Sequence, residues 1–287
     1  MDVVSVFDDL RPRLIGVAYG LLGSVADAED VVQDAWIRLQ RTDPAGIDDV
    51  TGWLVTTTSR LALDVLRSAR VRRENYVGPW LPEPVETAPD PADSVSLADT
   101  LSWAMLVVLE TLTPAERAAF VLHDVFGLSF DEIATALDRN PATCRKLASR
   151  ARAHVEARQP RFTVDPEAHR RVVTAFAEAT ATGDLAGLLA VLDPDAVLTA
   201  DGGGVVFVAP EPVHGAQAIG RFLAGLAGGP AKTMRVTTVN HNPALLVFVD
   251  GVLDGVAALG IVDGRIATID FVRNPHKLGG VSPLNSN

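Results

Sequence analysis

Apolar positions in the first half of the chain recur three and four residues apart, which is the spacing of amphipathic helices. This pattern predicts helices at Val4–Leu22, at Val25–Arg41 with Ser24 as the N-terminal cap, and from Trp53 to about Arg73. A loop rich in proline, glycine and aspartate, from Thr42 to Thr51, separates the second helix from the third. We therefore expect the chain to begin with a helical module.

Helical spacing resumes near Asp99 and continues to about Arg158 as a four-helix unit, whose last two helices predict a helix-turn-helix. Ser129 and Glu132 have the spacing of a capping box, and Pro141 suits the first position of the second helix. The outer face of that second helix is polar and basic. It carries Arg145, Lys146, Ser149, Arg150 and Arg152. Such a face can lie in a major groove of DNA, although an ordinary helical hairpin with a solvated charged face has the same pattern.

The pattern changes twice beyond the third helix. Residues 76–98 are rich in proline and acidic residues, which predicts a linker because proline cannot continue a helix. After residue 165 the pattern predicts three amphipathic helices followed by strands. These helices are expected at Ala168–Ala181, at Asp184–Leu192 and near Ala216–Leu226. The Asp-Gly pairs at 250–251 and 263–264 are typical of hairpin turns, so we expect an α+β domain with helices on one face of a curved antiparallel sheet, around a pocket.

The net charge of the 287-residue chain is −11, which by itself disfavours a nucleic-acid partner, because phosphate binding requires clustered Lys and Arg. The basic residues are nevertheless clustered. Five arginines lie between Arg60 and Arg73 against one acidic residue, and six basic residues lie between Arg139 and Arg158 against Glu156 alone. Two basic helices on an acidic protein predict that most of the surface avoids DNA or meets a basic partner.

The cysteine content and the N-terminal sequence indicate the compartment in which the protein is expected. The single cysteine, Cys144, excludes an intramolecular disulfide and is expected to be a small buried hydrophobic residue. The acidic N-terminus lacks the positive charge of a secretory signal, and no apolar run approaches the about 20 residues that a bilayer requires. We therefore expect a cytoplasmic protein, and no residue pattern predicts a metal site or a cofactor.

Three segments of the first half carry a resemblance to a known family. They are DAEDVVQDAWIRL (27–39), WLVTTTSRLALDVLRSARVRR (53–73) and LTPAERAAFVLHDVFGLSFDEIA (112–134). Together with the basic helix that follows, they resemble the two modules of the extracytoplasmic-function group of the sigma-70 family of bacterial sigma factors. The remainder of the chain resembles a SnoaL-like domain of the NTF2-like superfold. Three short motifs resemble those of the sigma-factor subgroup that carries such a domain, namely WLPEP (80–84), DGGG (201–204) and NPHKL (274–278).

This resemblance implies a sigma factor that directs core RNA polymerase to promoters and is not an enzyme. It implies two all-α modules, the second with a helix-turn-helix, followed by an α+β NTF2-like cone. The implied domains are a sigma region 2 domain at 1–75, a Pro-rich linker at 76–98, a sigma region 4 domain at 99–160 and a SnoaL-like domain at 165–287. Regulation by the last domain is expected to act in cis.

The resemblance also implies a polymerase-binding face. Asp30, Gln33 and Asp34 lie three and four residues apart on the outer face of the second helix. In the family this face meets coiled-coil helices of the polymerase, and an acidic patch suits a basic partner. A solvated acidic face would have the same sequence pattern.

Further residues are implied to contact promoter DNA. The residues implied at the minus-10 element are Arg60, Asp64, Arg67 and Arg70, with the loop at 42–51 holding an unstacked base. The residues implied near the minus-35 element are Thr143, Arg145, Lys146 and Ser149, with Arg150 and Arg152 on phosphates. Arg60 stands where many relatives have asparagine, so we expect it to contact phosphate instead of reading a base.

For the C-terminal domain, the subgroup resemblance implies contacts with the sigma modules or with the linker. The implied residues are Trp80, Leu81, Pro82, Glu83, Pro84, Asp201, Gly202, Gly203, Gly204, Asn274, Pro275, Lys277 and Leu278. Val205 and His276 depart from the subgroup pattern, in which lysine and aspartate are common. We therefore expect no salt bridge between the DGGG and NPHKL motifs. Trp80 is expected either to insert into a pocket or simply to pack within the linker.

An alternative interpretation is a helix-turn-helix DNA binder fused to an NTF2-like enzyme. Asp201, His214 and Asp270 are the candidate acid–base group, but nothing in their spacing requires them to converge. Related proton-transfer catalysts often use a tyrosine donor, and the tyrosines of this chain are Tyr19 and Tyr76. The expected partners are therefore core RNA polymerase and promoter DNA, with room for a small ligand in the C-terminal pocket.

Overall fold

The structure, a computed structural model, describes residues 3–43, 46–73, 76–87, 101–158, 166–225 and 232–281. The chain divides into two compact units. The helical unit comprises Met1–Asn75 and Asp93–Gln159, and the C-terminal unit comprises Tyr76–Ala92 and Pro160–Asn287. Within the described ranges, no helix combines the length and hydropathy that crossing a bilayer requires.

The described part of the helical unit consists mainly of α-helices. They are α1 (Val3–Leu22), α2 (Val25–Arg41), α3 (Val50–Arg73), α4 (Trp103–Leu109), α5 (Pro114–Phe120), α6 (Phe130–Leu137) and α7 (Pro141–Arg158). The predicted helices are present, and α3 begins at Val50 instead of Trp53. Ser24 caps α2 as predicted, because its hydroxyl accepts a hydrogen bond of 3.2 Å from the Asp27 amide.

Local capping signals build the predicted helix-turn-helix, which is formed by α6 and α7. The Ser129 hydroxyl accepts from the Glu132 amide at 3.3 Å, while the Glu132 carboxylate accepts from the Ser129 amide at 2.7 Å. The Ser129 hydroxyl and amide also hold the pKa of Glu132 below its usual range. The contribution of this cap to stability is therefore present at neutral pH and is lost as the pH falls through that lowered pKa. Asp138 ends α6 in the left-handed conformation, with φ of 52°.

A π-helical turn at Val121–Val125 continues α5, and the sequence pattern did not predict it. Its apolar residues Val121 and Leu122 are buried. His123 lies within the turn and packs against Phe130 of α6, with ring centroids 4.1 Å apart. The wider turn is therefore part of the packing between α5 and the helix-turn-helix.

A buried arginine connects α5 to α1 in the helical unit. Arg117 of α5 is 2% exposed, and its Nε donates to the carbonyl of Gly20 in α1 at 3.1 Å. Its Nη1 forms an ion pair with Glu110 at 2.7 Å. Because a buried charge is costly unless it is paired and hydrogen-bonded, these contacts fix α5 against α1.

The C-terminal unit is an α+β cone, as predicted. Its elements are α8 (Pro166–Thr182), α9 (Leu185–Val191), β1 (Leu192–Asp201), β2 (Val213–His214), α10 (Ala216–Gly225), β3 (Lys232–Val239), β4 (Asn242–Val249), β5 (Val252–Val262) and β6 (Arg265–Val272). The strands form one sheet in the order β2-β1-β6-β5-β4-β3. The prediction of helices followed by a purely antiparallel sheet was wrong, because β1 precedes α10 and pairs in parallel with β6.

The two predicted hairpin turns are confirmed. Asp250 and Gly251 have φ of 49° and 80°, and Asp263 and Gly264 have φ of 49° and 74°. Two successive residues with positive φ match the right-handed twist of the flanking strands, and Asp-Gly adopts that conformation readily. A third turn of the same kind, at 240–241, joins β3 to β4 through asparagine and histidine and was not predicted.

Residues 76–87, which we call the linker segment, lie along the C-terminal unit. Glu86 forms an antiparallel bridge with Val239 at the end of β3. The Thr87 amide donates to the Thr238 carbonyl at 2.9 Å, and the Glu86 amide donates to the Gly280 carbonyl at 2.9 Å. The linker segment thus continues the sheet beyond its outermost strand.

We expect Arg117→Ala to destabilise the helical unit by about 3–5 kcal/mol, because removal of one member of a buried ion pair leaves the other charge unpaired. Replacing both members, as Arg117→Met with Glu110→Leu, should cost less. Native-state hydrogen exchange of the α1 and α5 amides in the full chain would measure both effects. The exposed Arg11 of α1 provides the control Arg11→Ala. Equal protection in the Arg117 and Arg11 variants would contradict the role of the buried pair.

Candidate functional sites

The outer face of α2 is acidic and open to solvent. Asp30, Gln33 and Asp34 are exposed, and the opposite face is buried. The buried residues of α2 are Ala28, Val31, Val32, Ala35 and Leu39. This arrangement leaves the three predicted polymerase-binding side chains together on one free helical surface.

The basic face of α3 lies beside the helix-turn-helix within the helical unit. Arg60 donates through Nη2 to the carbonyl of Thr135 in α6 at 2.6 Å. Arg67 pairs with Asp64 at 3.3 Å on the same face. A cleft lined by these three side chains also contains residues 136–139 of α6 and the following turn. The side chain of Arg70 lies outside the described residues.

The outer face of α7 carries the predicted minus-35 residues. Arg145, Lys146, Ser149, Arg150 and Arg152 are exposed, whereas Thr143 is half-buried. Two of the arginines are held by acidic residues of the same unit. Arg152 pairs with Asp124 at 2.5 Å, and Arg150 pairs with Glu116 at 3.3 Å. The face is therefore basic, but DNA phosphates would have to compete with these carboxylates.

Arg145 is positioned by an aromatic stack. Its guanidinium lies 5.1 Å from the centroid of the Phe130 ring, which in turn packs on His123. The Leu128 carbonyl accepts a hydrogen bond of 2.8 Å from Nδ1 of His123 and fixes that ring. The stack holds the arginine at the start of α7 without neutralising its charge.

Cys144 lies on the opposite, buried face of α7, as predicted. Burial raises the pKa of its thiol. The thiol therefore stays protonated at neutral pH, and its role is that of a small apolar side chain in the core.

A buried ion pair lies at the centre of the C-terminal motifs. Lys277 donates through Nζ to Oδ2 of Asp201 at 2.7 Å and to the carbonyl of Leu81 at 2.6 Å. Asp201 is 0% exposed and Lys277 is 5% exposed. The prediction that no salt bridge joins the DGGG and NPHKL motifs was wrong, because the bridge uses Asp201 and Lys277 themselves and needs neither Val205 nor His276. We call this pair and the groups bonded to it the clamp.

The linker segment supplies the other partners of the clamp. The amide of Leu81 donates to Oδ2 of Asp201 at 2.9 Å, and the hydroxyl of Tyr76 donates to Oδ1 at 2.5 Å. The ring of Trp80 lies under the Lys277 ammonium, which is 3.1 Å from its centroid. Trp80 therefore forms a cation–π contact in the clamp, beside Tyr76 at 4.9 Å.

Glycine is required where the DGGG loop passes Asn274. Gly203 has φ of 65°, and a Cβ on it would come within 2.3 Å of the Asn274 amide nitrogen. That nitrogen donates to the Tyr76 hydroxyl at 3.0 Å. Oδ1 of Asp201 also accepts from the Gly203 amide at 3.0 Å. The glycines of this loop therefore allow close packing against the NPHKL motif.

The remaining predicted regulatory residues surround the clamp. Leu81, Pro82, Glu83 and Pro84 are all buried. Gly202 and Gly204 flank Gly203, and a Cβ on Gly202 would collide with the Val206 carbonyl. Pro275 begins a short 3-10 turn that ends before Leu278 and carries Lys277. The structure thus brings the three motifs into one site.

Tyr76 and Asn240 belong to this site and were not predicted. The side-chain oxygen of Asn240 accepts from the backbone amide of Val85 at 3.0 Å, and the backbone amide of Asn240 donates to the Val85 carbonyl at 2.9 Å. Tyr76 lies just outside the WLPEP motif. Neither residue belongs to a motif, because Tyr76 precedes WLPEP and Asn240 lies in the turn between β3 and β4.

The three candidate acid–base residues do not form a catalytic group around the cone. Asp201 is occupied by the clamp, and His214 is exposed on the short strand β2. Asp270 pairs in register with Thr199, whereas its neighbours Ile269 and Phe271 line the cavity of the cone. Because side chains alternate along a strand, Asp270 faces away from that cavity. Among the described residues, no cluster of three or more His, Cys, Asp or Glu could hold a metal ion.

Comparison with known proteins identifies the two modules of the helical unit. The family model for Sigma-70 region 2 matches residues 6–72, and the model for Sigma-70, region 4 matches residues 102–155. These two matches contain the acidic face of α2, the basic face of α3 and the helix-turn-helix. The class of protein is therefore that of sigma-70-type factors.

Similarity extends over the whole chain. It is 42% identical to the ECF RNA polymerase sigma factor SigJ of Mycobacterium tuberculosis over 98% of this chain and 94% of the relative. It is 40% identical to the probable ECF RNA polymerase sigma factor SigI of the same species, over 93% of this chain and 92% of the relative. The crystal structure of the M. tuberculosis SigJ superposes with a TM-score of 0.77 at 37% identity, covering 98% of this chain and 99% of that one. The chain belongs to the extracytoplasmic-function sigma factors.

We expect Asp201→Asn to release the linker segment from the C-terminal unit. The substitution removes the negative charge that pairs with the buried Lys277 ammonium in the clamp, which should weaken the clamp by about 3–5 kcal/mol. Hydrogen exchange at the Leu81 amide, whose acceptor is Asp201, would report the release. Asp195→Asn, at an exposed position of the same strand, is the matched control. Unchanged protection of Leu81 in the Asp201 variant would refute the clamp.

Proposed function

We propose that this protein directs core RNA polymerase to a class of promoters and that its C-terminal unit controls this activity in cis through the clamp. The single observation that carries the regulatory part is the buried Lys277–Asp201 pair, which holds the backbone of Leu81. Family membership supports the sigma-factor part. No separate anti-sigma protein is needed for this form of control.

The exposed face of Asp30, Gln33 and Asp34 would bind the polymerase. It is acidic, it is free in the helical unit, and its helix is fixed by a continuous buried stripe. Opposite charges at such a surface speed association and select the partner more than they increase affinity.

The helical unit would have to open when it binds a promoter. The minus-10 and minus-35 elements lie about 25 base pairs apart, which is about 85 Å along a duplex. In the helical unit, by contrast, Arg60 of α3 contacts Thr135 of α6 directly. One unit in this arrangement cannot place α3 and α7 on both elements at once.

The linker segment provides the connection between opening and the C-terminal unit. It is part of the chain that joins α3 to α4, and so joins region 2 to region 4. While the clamp holds the linker segment, that chain follows one course. The distance between region 2 and region 4 can then vary less than it could with a free chain. We therefore propose that the clamp restrains promoter binding. A domain with this role needs no catalysis, and we propose that the protein is not an enzyme.

Release of the clamp should raise transcription. With purified core polymerase and a template carrying the region upstream of its own gene, Asp201→Asn should yield about fivefold more transcript than wild type, within the usual range of coupling between sites. Asp195→Asn should match wild type. Transcript yields that are equal for all three proteins, at equal binding to core polymerase, would refute control by the clamp.

Substitutions on α7 should separate base reading from phosphate contact. In the presence of core polymerase, Arg150→Ala should reduce the slope of log affinity against log salt by about 0.9, since one phosphate contact is lost. Arg145→Ala should cost about 1–3 kcal/mol and relax the preference at one base pair of the minus-35 element. Binding titrations at several salt concentrations on wild-type and single-base-variant promoters would measure both. If Arg150→Ala relaxed the base preference and Arg145→Ala only reduced the salt slope, the proposed roles would be reversed.

A further inference from the structure

Arg145 differs from Arg150 and Arg152, which lie on the same face of α7. Arg150 is paired with Glu116 at 3.3 Å. Arg152 is paired with Asp124 at 2.5 Å. Within the described ranges no carboxylate pairs with Arg145, and this residue is exposed. The donors of Arg145 are therefore available to a ligand, whereas those of the other two arginines have to leave an acidic partner first.

The aromatic ring beside Arg145 is fixed by its surroundings. Phe130 is the first residue of α6, and the capping box of Ser129 holds the start of that helix. The ring of Phe130 packs on His123, with centroids 4.1 Å apart. Phe130 also packs against the buried residues Ala119, Leu147 and Ala148. Because these residues belong to α5 and α7, displacing the ring would disturb the packing of several helices at once.

The contact with the ring leaves the hydrogen-bonding groups of Arg145 free. The guanidinium carbon lies over the Phe130 ring at 5.1 Å from its centroid, within the about 6 Å over which a cation is attracted to a ring face. A guanidinium has its N–H donors in the plane of the group, so an aromatic face does not occupy them. Ordering a long side chain on binding lowers affinity, and an arginine that is already held avoids part of this loss.

We propose that Phe130 determines specificity at the minus-35 element by holding Arg145 in position to read a guanine. In the major groove guanine presents O6 and N7 as a pair of acceptors, and one positioned guanidinium can donate to both. Phe130 is thus a positioning residue that acts through Arg145. This inference rests on the proposed function, in which α7 binds the minus-35 element.

The test uses the full chain with core polymerase and promoters in which each minus-35 base pair is changed in turn. Replacing the guanine that Arg145 reads should weaken wild-type binding about tenfold, and Arg145→Ala should remove this discrimination. Phe130→Leu keeps an apolar side chain but removes the ring, and it should reduce the discrimination about fivefold. Phe130→Tyr keeps the ring and should retain the discrimination. Phe126→Leu, which removes a half-buried ring outside the stack, is the matched control and should also retain it.

A double variant separates positioning from a purely structural role of the ring. If Phe130 acts through Arg145, adding Phe130→Leu to Arg145→Ala should cause no further loss of affinity or discrimination. A helix-turn-helix loosened by loss of the ring would instead weaken binding of the double variant to every promoter. Replacing the guanine by 7-deazaguanine removes N7, and it should weaken binding of the wild type about fivefold but leave Arg145→Ala unaffected.

The outcomes distinguish this inference from the proposed function. Discrimination that is lost in Arg145→Ala but unchanged in Phe130→Leu would overturn the role of Phe130 and leave base reading by Arg145 intact. Losses that add in the double variant would have the same meaning. A base preference that is unchanged in Arg145→Ala would overturn both this inference and the proposed base reading by Arg145.

Discussion

The buried pair of Lys277 and Asp201 is the interaction on which the arrangement of the C-terminal motifs depends. Removing two charges from water is expensive, and the cost is offset only where their remaining hydrogen-bonding groups are also satisfied. Here the carboxylate accepts from Tyr76, Leu81 and Gly203 as well as from the ammonium. All these donors have to be in place together, and two of them belong to the linker segment. The pair therefore specifies one course for the linker more than it adds stability.

The helical unit has a different constraint, because its two modules share a buried charge. Arg117 of region 4 bonds to the backbone of α1 in region 2, and Arg60 of region 2 bonds to the backbone of α6 in region 4. One contact is buried and the other is exposed. Backbone acceptors do not vary with the side chain, so these contacts tolerate substitutions around them. Opening the unit as proposed would have to break the buried contact and exchange its protein acceptor for water.

The sequence was most informative where structure is local. Capping at Ser24 and Ser129 and the turns at Asp250 and Asp263 depend on residues within four positions of one another, and each was predicted. The strand β1 was missed because its parallel pairing with β6 joins segments about 70 residues apart, and such pairing leaves no short-range signal. The clamp was predicted only as a set of motifs. Their geometry depends on contacts such as that of Tyr76 with Asp201, 125 positions apart, which no spacing within either motif encodes.

The bridge between Glu86 and Val239 also protects the sheet. Strand β3 is the last strand in the sheet order, so its outer N–H and C=O groups are a template for pairing with another chain. The linker segment covers the end of this edge through Thr87 and Glu86, and Arg235 pairs with Glu86 at 3.0 Å. A molecule whose linker has been released would therefore expose fresh strand edge. If the linker segment is released as proposed, that strand edge becomes a site at which two copies of the chain could pair.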